Sequence, residues 1–560
     1  MKLTGAEILL ESLIAEGVKT FFGYPGGVVL PLFNTFVKYP QIRHVLVRHE
    51  QAAAHAADGY ARVSGETGVC LATSGPGATN LVTGIANAYM DSIPIVVITG
   101  NVARDLIGRD GFQEADITGI TLPITKHNTL VMRASEIATA VKEAFHIAST
   151  GRTGPVLVDI PKDVFVEEAE YEGHPQSVHL RGYPIQDVPL EPEVERAAVV
   201  INGARKPVIL AGHGVVQSGA SPELLELAEK AEIPVITTLL GISGIPEAHR
   251  LAYGFLGMHG NYYCNQAADQ ADVVIALGMR FDDRAMGRFK DYNPNAQIVH
   301  VDIDPAEIGK NFPNTKYPVH GDIKQVLQKL NPMVQTARHE DWVAWIDEQK
   351  ALHPTDYATE ERGISGPWLV SEIADATSSE ATIVTGVGQH QMWAAQYYGY
   401  KRPRQWVTSG GLGTMGFEIP AAIGAQFASD TPVWSICGDG GFQMTLQELQ
   451  TVAENKLPIK FALFNNGYLG MVRQWQELFY ENNYQDVELG QPDFLKIAEA
   501  YGIPAVRAET RAEAQRAIRQ AIEAEGPFLI DFRTVDEENV WPMVPAGAAL
   551  SETVESASEL

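Results

Sequence analysis

Short apolar, β-rich runs alternate along the chain with Gly-rich turns and Ala-rich stretches of helical period. The runs GVCLAT (68–73), IPIVVIT (93–99), PVLVDI (155–160), KPVILAG (206–212), DVVIALG (272–278), QIVHVDI (297–303), PVWSICG (432–438) and IKFALFN (459–465) predict strands. Several are apolar at every position, as strands covered on both faces are. Strands alternating with helical patterns predict an α/β fold built from parallel sheets. At the start, Thr4 and Glu7 have capping-box spacing and Gly17 supplies a stop, so a helix is predicted almost from residue 1. Glu7 and Glu11 interrupt the apolar run there, which argues against a signal peptide. The longest apolar stretch, IPIVVITG (93–100), is far too short to span a bilayer.

Two stretches lack periodicity. Residues 170–193 carry Pro175, Pro184, Pro189 and Pro192; residues 350–367 carry Pro354, Gly363, Gly366 and Pro367. Read as linkers, they divide the chain into units at 1–170, 190–335 and 365–545, each with its own strands and helices. Residues 546–560 form a C-terminal tail, whose acidic last stretch SETVESASEL (551–560) is expected to fray. A length of 560 residues agrees with three or four domains at roughly 150 residues each. With 45% apolar and 20% charged residues, disorder is excluded for most of the chain. A net charge of −27 argues against a nucleic-acid partner and against an anionic membrane surface. Cys70, Cys264 and Cys437 form no CxxC pair, which argues against a disulfide framework or cysteine-built zinc site and suits a reducing cytoplasm.

The densest chemistry lies at 432–470. A strand runs into Gly438-Asp439-Gly440-Gly441, a helical pattern follows with Leu446, Leu449 and Val452 on one face, and a second strand ends at Asn465-Asn466-Gly467. A parallel crossover brings both strand ends to one sheet edge, where α/β proteins bind ligands. Asp439 and Asn466 can therefore meet at one ion, and hard oxygen ligands with room for phosphate suit Mg²⁺. The glycines admit a diphosphate to the backbone, and the helix expected after Gly441 turns its positive end toward it. GDGG alone is an ordinary Gly-rich turn and NNG an ordinary Asn-Gly turn; it is the pair, one crossover apart, that points to a site.

That pairing resembles the thiamine-diphosphate enzymes, in which GDG is followed by NN. The resemblance implies that Asp439, Asn466 and the backbone carbonyl of Tyr468 hold Mg²⁺ against the diphosphate. Such an enzyme also needs an acid that starts a proton relay on the aminopyrimidine ring. The segment RHEQAAAHAADGYAR (48–62) offers Glu50, which by itself also reads as a glutamate favoured in a first helical turn. The segment matches the family's relay-glutamate segment. The family usually builds this site from two subunits, so the resemblance implies a homodimer or a dimer of dimers, and a fold of three doubly wound parallel-sheet domains: pyrimidine-binding, central and diphosphate-binding.

Nearly the whole chain is similar to the acetolactate synthase branch of that family. FGYPGG (22–27), GFQEADI (111–117), RFDDR (280–284), GGLGTMGF (410–417), LGMVRQWQELFY (469–480) and WPMVPAGA (541–548) carry the likeness. It implies that Gly388, Gln389, His390, Gly413, Gly440, Gly441, Gly470 and Met471 hold the cofactor. Met415 would wedge beneath it, though methionine is also a common core filler. Gly27 and Gln113 would lie beside the reacting carbons. Trp475 would select the second substrate, though a helix-face aromatic is the commoner role. The central unit would bind FAD in a structural role through Arg152, the Gly212-His213-Gly214 turn, Thr237-Thr238, the 257–278 segment with Met258 and His259, Arg280, Asp283, Arg284, Asp302, Ile303 and Asp322. Its own Gly-His-Gly turn is a weak nucleotide signal. The implied reaction is decarboxylation of pyruvate and transfer of the two-carbon unit to pyruvate or 2-ketobutyrate. This gives 2-acetolactate or 2-aceto-2-hydroxybutyrate, the first common step of branched-chain amino acid biosynthesis. The alternative is another thiamine-diphosphate carboligase or a pyruvate oxidase-like enzyme. A small regulatory subunit is a further implied partner. Val28, Ala103 and Glu418 depart from the family pattern, and Glu418 stands close to the expected cofactor loops.

Overall fold

A computed structural model describes residues 1–312, 315–356 and 363–560. It contains three six-stranded sheets, parallel throughout, each flanked by helices. The first runs in the order Arg43–Leu46, Thr20–Gly23, Gly68–Ala72, Ile95–Asn101, Val156–Pro161, His127–Leu130. The second runs Ala252–Phe255, Val235–Thr237, Pro207–Ala211, Val273–Leu277, Gln297–Asp302, Tyr317–His320. The third runs Trp406–Thr408, Thr382–Thr385, Val433–Gly438, Lys460–Asn465, Phe528–Arg533, Ala505–Ala508. The central strands are buried along their length, which is why their sequences are apolar without alternation.

Strand order locates the ligand crevices. In the first and third sheets the order reverses between the first and third strands of each unit, hence between Thr20–Gly23 and Gly68–Ala72, and between Thr382–Thr385 and Val433–Gly438. The middle sheet has the dinucleotide-binding order, with its reversal between Pro207–Ala211 and Val273–Leu277. All three reversals lie beneath glycine-bearing loops: Gly26-Gly27 and Gly75, Gly212-His213-Gly214 and Gly278, Gly386 and Gly438-Asp439-Gly440-Gly441.

The first and third units share one core. The helix Glu50–Ser64 packs its alanines Ala53, Ala56 and Ala57 with Ile419, Ala421 and Ala422 of the helix Glu418–Phe427. The approach is so close that a methyl group on Gly59 would strike the Ala421 carbonyl, and one on Gly424 the Ala56 carbonyl.

Three expectations change. The tail is not frayed: Leu550 is buried in the central unit's core, Val554 bridges Met543, and Asn265 donates to Thr553 (3.0 Å). Its apolar positions were outweighed in the sequence by its charges. The helix expected after Gly441 instead starts at Asp439 and stops at Thr445, with a new helical segment from Leu449. The second linker is shorter than expected, because Glu340–Leu352 is a helix anchored by Trp342 in the central core; residues 357–362 of that linker lie outside the described residues. Thr4 and Glu7 form the expected capping box. Among the described residues no helix is long and apolar enough to cross a membrane.

Candidate active site

The third sheet's crevice gathers the expected diphosphate and metal residues. Asp439 begins a helix directly after its strand, and Asn466 follows the neighbouring strand. The Gly467 amide donates to Asp439 Oδ2 (3.1 Å) and so does Gln491 Nε2 (2.8 Å). The Tyr468 amide donates to Asn466 Oδ1 (3.1 Å). Asn466 Nδ2 donates to Gln389 Oε1 (3.4 Å), while Gln389 Nε2 donates to the Glu538 carbonyl (2.8 Å) and to Gln474 Oε1 (3.2 Å). Gln389 therefore joins the Gly388 turn to the Asn466 turn. A methyl on Gly470 would collide with its amide oxygen.

Among the described residues, several buried polar groups here lack a counter-ion or a hydrogen bond. Asp439 is buried with no cation paired to it, and burial pushes its carboxyl up to about 6. His390 Nε2 is buried without a hydrogen bond, and burial pushes the ring down to about 3, so it stays neutral. No group of three or more His, Cys, Asp or Glu side chains gathers among the described residues. A metal at Asp439 would be completed by amide, carbonyl and phosphate oxygens, the donor set of Mg²⁺. Gly440 leaves the approach open, with Met415 Cε 3.4 Å from where its methyl would stand.

The first sheet's crevice holds the other set. Glu50 is the first residue of its helix, capped by His49, and its Oε2 accepts from Asn80 Nδ2 (2.9 Å). Its Oε1 lies 3.3 Å from where a methyl on Gly77 would be. Gln113, at φ +60°, places its Cα against Gly75. Gly26, next to exposed Gly27, packs on Thr73. Thr73 Oγ1 and Ser74 Oγ are buried without hydrogen bonds, as befits a wall that meets a polar ligand. The only hydrogen bond of the Glu50 carboxyl, among the described residues, is to its own unit.

Between the three units lies a cavity of about 1030 Å³. Gly388, Gly413, Met415, Met471 and Trp475 line one end, with the Trp475 ring tilted against Phe479 at 5.0 Å. Arg152, Gly214, Met258, His259, Arg280, Asp283, Arg284, Asp302, Ile303 and Asp322 line the remainder. Gly212 and Thr237 do not: Gly212 is pressed against the Gly278 carbonyl, and the Thr237 hydroxyl donates to the Gly254 carbonyl (3.2 Å), leaving the wall to Thr238. The cavity reaches the upper end of small-ligand pockets, as a dinucleotide requires. Orphan groups face it here too, namely His213 Nε2 and Gln217 Oε1.

Glu418 is the group the family pattern did not anticipate. Its carboxyl is fully buried and, among the described residues, no side chain pairs with it; its polar neighbours are the backbone amides of Gly416 and Glu418. It sits between the third sheet's two reversal loops, so that a methyl on either Gly386 or Gly441 would strike it. Burial pushes it up to about 7.

Three sheets, each reversing under a glycine-rich loop, with a carboxylate–amide pair at one edge and an acid at another, define the thiamine-diphosphate class of fold and site. The chain belongs to the thiamine pyrophosphate enzyme family. The N-terminal TPP binding domain of that family matches residues 3–120, the central domain 194–330 and the C-terminal TPP binding domain 386–532. Within the family its relatives are acetolactate synthases. The acetolactate synthase of Mycobacterium bovis is 48% identical, with 98% of this chain and 91% of the relative covered. The acetolactate synthase large subunit of Corynebacterium glutamicum is 47% identical over 98% and 90%. The probable acetolactate synthase large subunit of Methanocaldococcus jannaschii is 46% identical over 99% and 95%.

Proposed function

We propose that this chain is the catalytic subunit of an acetolactate synthase, acting on pyruvate with pyruvate or 2-ketobutyrate as acceptor. The observation that carries the reading is the convergence of Asp439, Asn466 and Gln389 on one glycine-lined crevice beside the cavity that Met415 and Trp475 line. Gly388, Gln389, His390, Gly413, Met415, Gly440, Gly441, Gly470 and Met471 would hold thiamine diphosphate, and Asp439, Asn466 and the Tyr468 carbonyl would hold Mg²⁺. Bound thiamine diphosphate supplies a nucleophilic carbon and an electron sink for 2-ketoacid decarboxylation. Asn80 orients Glu50 through Oε2, which leaves Oε1 to hold and pass a proton. Gly27 and Gln113 leave space and a polar group beside the reacting carbons, and Trp475 shapes the acceptor end. The central cavity takes FAD in a structural role.

Two copies assemble the site, Glu50 of one facing the Asp439 crevice of the other. Phe112, 89% exposed, with Leu30, Leu412 and Met444, supports this as apolar surface at the edges of both crevices that water would otherwise cover. The words "large subunit" in the relatives' names support a smaller regulatory partner. Three free, buried cysteines support a reducing, cytoplasmic setting. Purified protein given thiamine diphosphate, Mg²⁺, FAD and both 2-ketoacids should form acetohydroxy acids and release flavin on denaturation. Acetyl phosphate as the main product would overturn the reading.

A further inference from the structure

The loop Ser409–Met415 carries Gly413 and Met415, yet its conformation is not set by its own sheet. Its backbone donors go to side chains. Gly410 N and Gly411 N donate to the two oxygens of Asp91 (3.0 and 2.6 Å), and Thr414 N donates to Ser409 Oγ (2.8 Å). The Ser409 and Thr414 hydroxyls both donate to Asn87 Oδ1 (2.6 and 3.1 Å). Asn87 and Asp91 belong to the helix Val82–Asp91 of the first unit. Behind them, Arg62 donates to Asp91 (2.7 Å) and Asp58 (2.5 Å), and Asn87 Nδ2 donates to the other oxygen of Asp58 (3.0 Å). Asp58, Asn87, Asp91, Arg62 and Ser409 are all buried.

Two carboxylates and one guanidinium taken out of water are costly unless every lone pair is used. Here each of the four carboxylate oxygens accepts at least one hydrogen bond, and the two of Asp91 accept from the loop. A plain interdomain contact could be made by apolar side chains at less cost. Gly411 permits the approach, since a methyl there would stand 3.0 Å from Asp91 Oδ1 and 3.2 Å from Arg280 Nη2.

We propose that Asn87 and Asp91 are positioning residues of the reaction, which from the first unit fix the loop that presents Met415 to the cofactor. This rests on the cofactor reading above. Asn87 alone gathers both hydroxyls of the loop, so its loss frees the segment on either side of Gly413 while leaving the crevice at Asp439 untouched. Asp91 sets the two amides at the loop's start. Arg62 and Asp58, on the Glu50 helix, hold these two in turn.

The test uses the full-length holoenzyme and the variants Asn87→Ala, Ser409→Ala and Thr414→Val; Thr414→Val removes one bond to Asn87, and Ser409→Ala removes one bond to Asn87 and the bond from the Thr414 amide. Three readouts are taken: kcat and KM for pyruvate, thiamine diphosphate affinity from fluorescence titration of the apoprotein, and the near-UV circular dichroism induced in the bound cofactor. Asn87→Ala should lower kcat roughly ten- to a hundredfold with KM little changed, and should shrink the induced band. Ser409→Ala and Thr414→Val should do the same in smaller degree, with Tm near that of the parent. If Asn87→Ala fails to fold, these two milder variants decide. Unchanged kcat and an unchanged band in the folded variants would overturn the proposal. So would a loss of kcat that tracks Tm while the band stays intact, since that is a merely structural role. Wild-type protein that binds no thiamine diphosphate would instead overturn the cofactor reading itself.

Discussion

Replacing Glu418 by glutamine should change how stability depends on pH. The wild-type carboxyl is fully buried between Gly386 and Gly441 with no side-chain partner among the described residues, and burial, partly offset by the Glu418 and Gly416 backbone amides, raises its pKa from the usual 4.5 to about 7. A carboxyl raised in the folded state favours folding below pH 4.5, where it is protonated in both states. That contribution is lost progressively as pH rises, and the loss is complete above about pH 7. At 1.36 kcal/mol per unit, the full loss is about 3 kcal/mol. For a unit of this size that corresponds to roughly 6–12 °C in Tm. Glu418→Gln keeps the shape and cannot ionise, so its Tm relative to wild type should climb between pH 5 and pH 8 and then level off. The measurement is a series of thermal melts of apoprotein pairs across that range. The amide's own cost fixes the offset at pH 5; the slope belongs to the acid. A Tm difference constant with pH would refute the reasoning, because it would mean that Glu418 does not titrate on unfolding.

Three more outcomes follow from the same geometry. Gly424→Ala drives a methyl into the Ala56 carbonyl and should destabilise the contact between first and third units by about 1–3 kcal/mol, read as a lowered Tm. Trp475→Leu should shift acceptor choice toward pyruvate in a two-substrate competition, without loss of thiamine diphosphate affinity. Asp439→Asn should raise the Mg²⁺ concentration needed for half-maximal thiamine diphosphate binding, because a neutral amide replaces the buried carboxylate, while flavin content is unaffected.

Local pattern carries the strands well. All eight apolar runs are strands to within one or two residues, because uninterrupted Val, Ile and Leu suit both-faced burial. The Asp439–Asn466 juxtaposition was legible because a parallel crossover leaves little choice about where its two ends lie. What was not legible depends on partners far away in the chain. Ser409, Asn87 and Asp91 look like ordinary loop and helix residues until the two units meet. The tail's acidic character hid Leu550, whose partner surface lies on the central unit. Asp439 starts its helix earlier than expected, directly where the strand Val433–Gly438 ends and before the glycines. The sequence takes Thr237 and Thr238 together, and strand pleat, invisible in a motif, decides that Thr238 is the one that meets the cavity.

The account depends on two chains building each site, and mixing two inactive variants tests this directly. Glu50→Gln removes the proposed relay acid and Asp439→Ala the proposed metal ligand, so each alone should make almost no acetolactate. Subunits exchanged at random form mixed dimers in which one of the two sites has both residues intact, and activity should return to about a quarter of wild type. If the mixture, with exchange verified by differently tagged chains, stays as inactive as its parents, Glu50 and Asp439 do not meet across two subunits and the account is wrong.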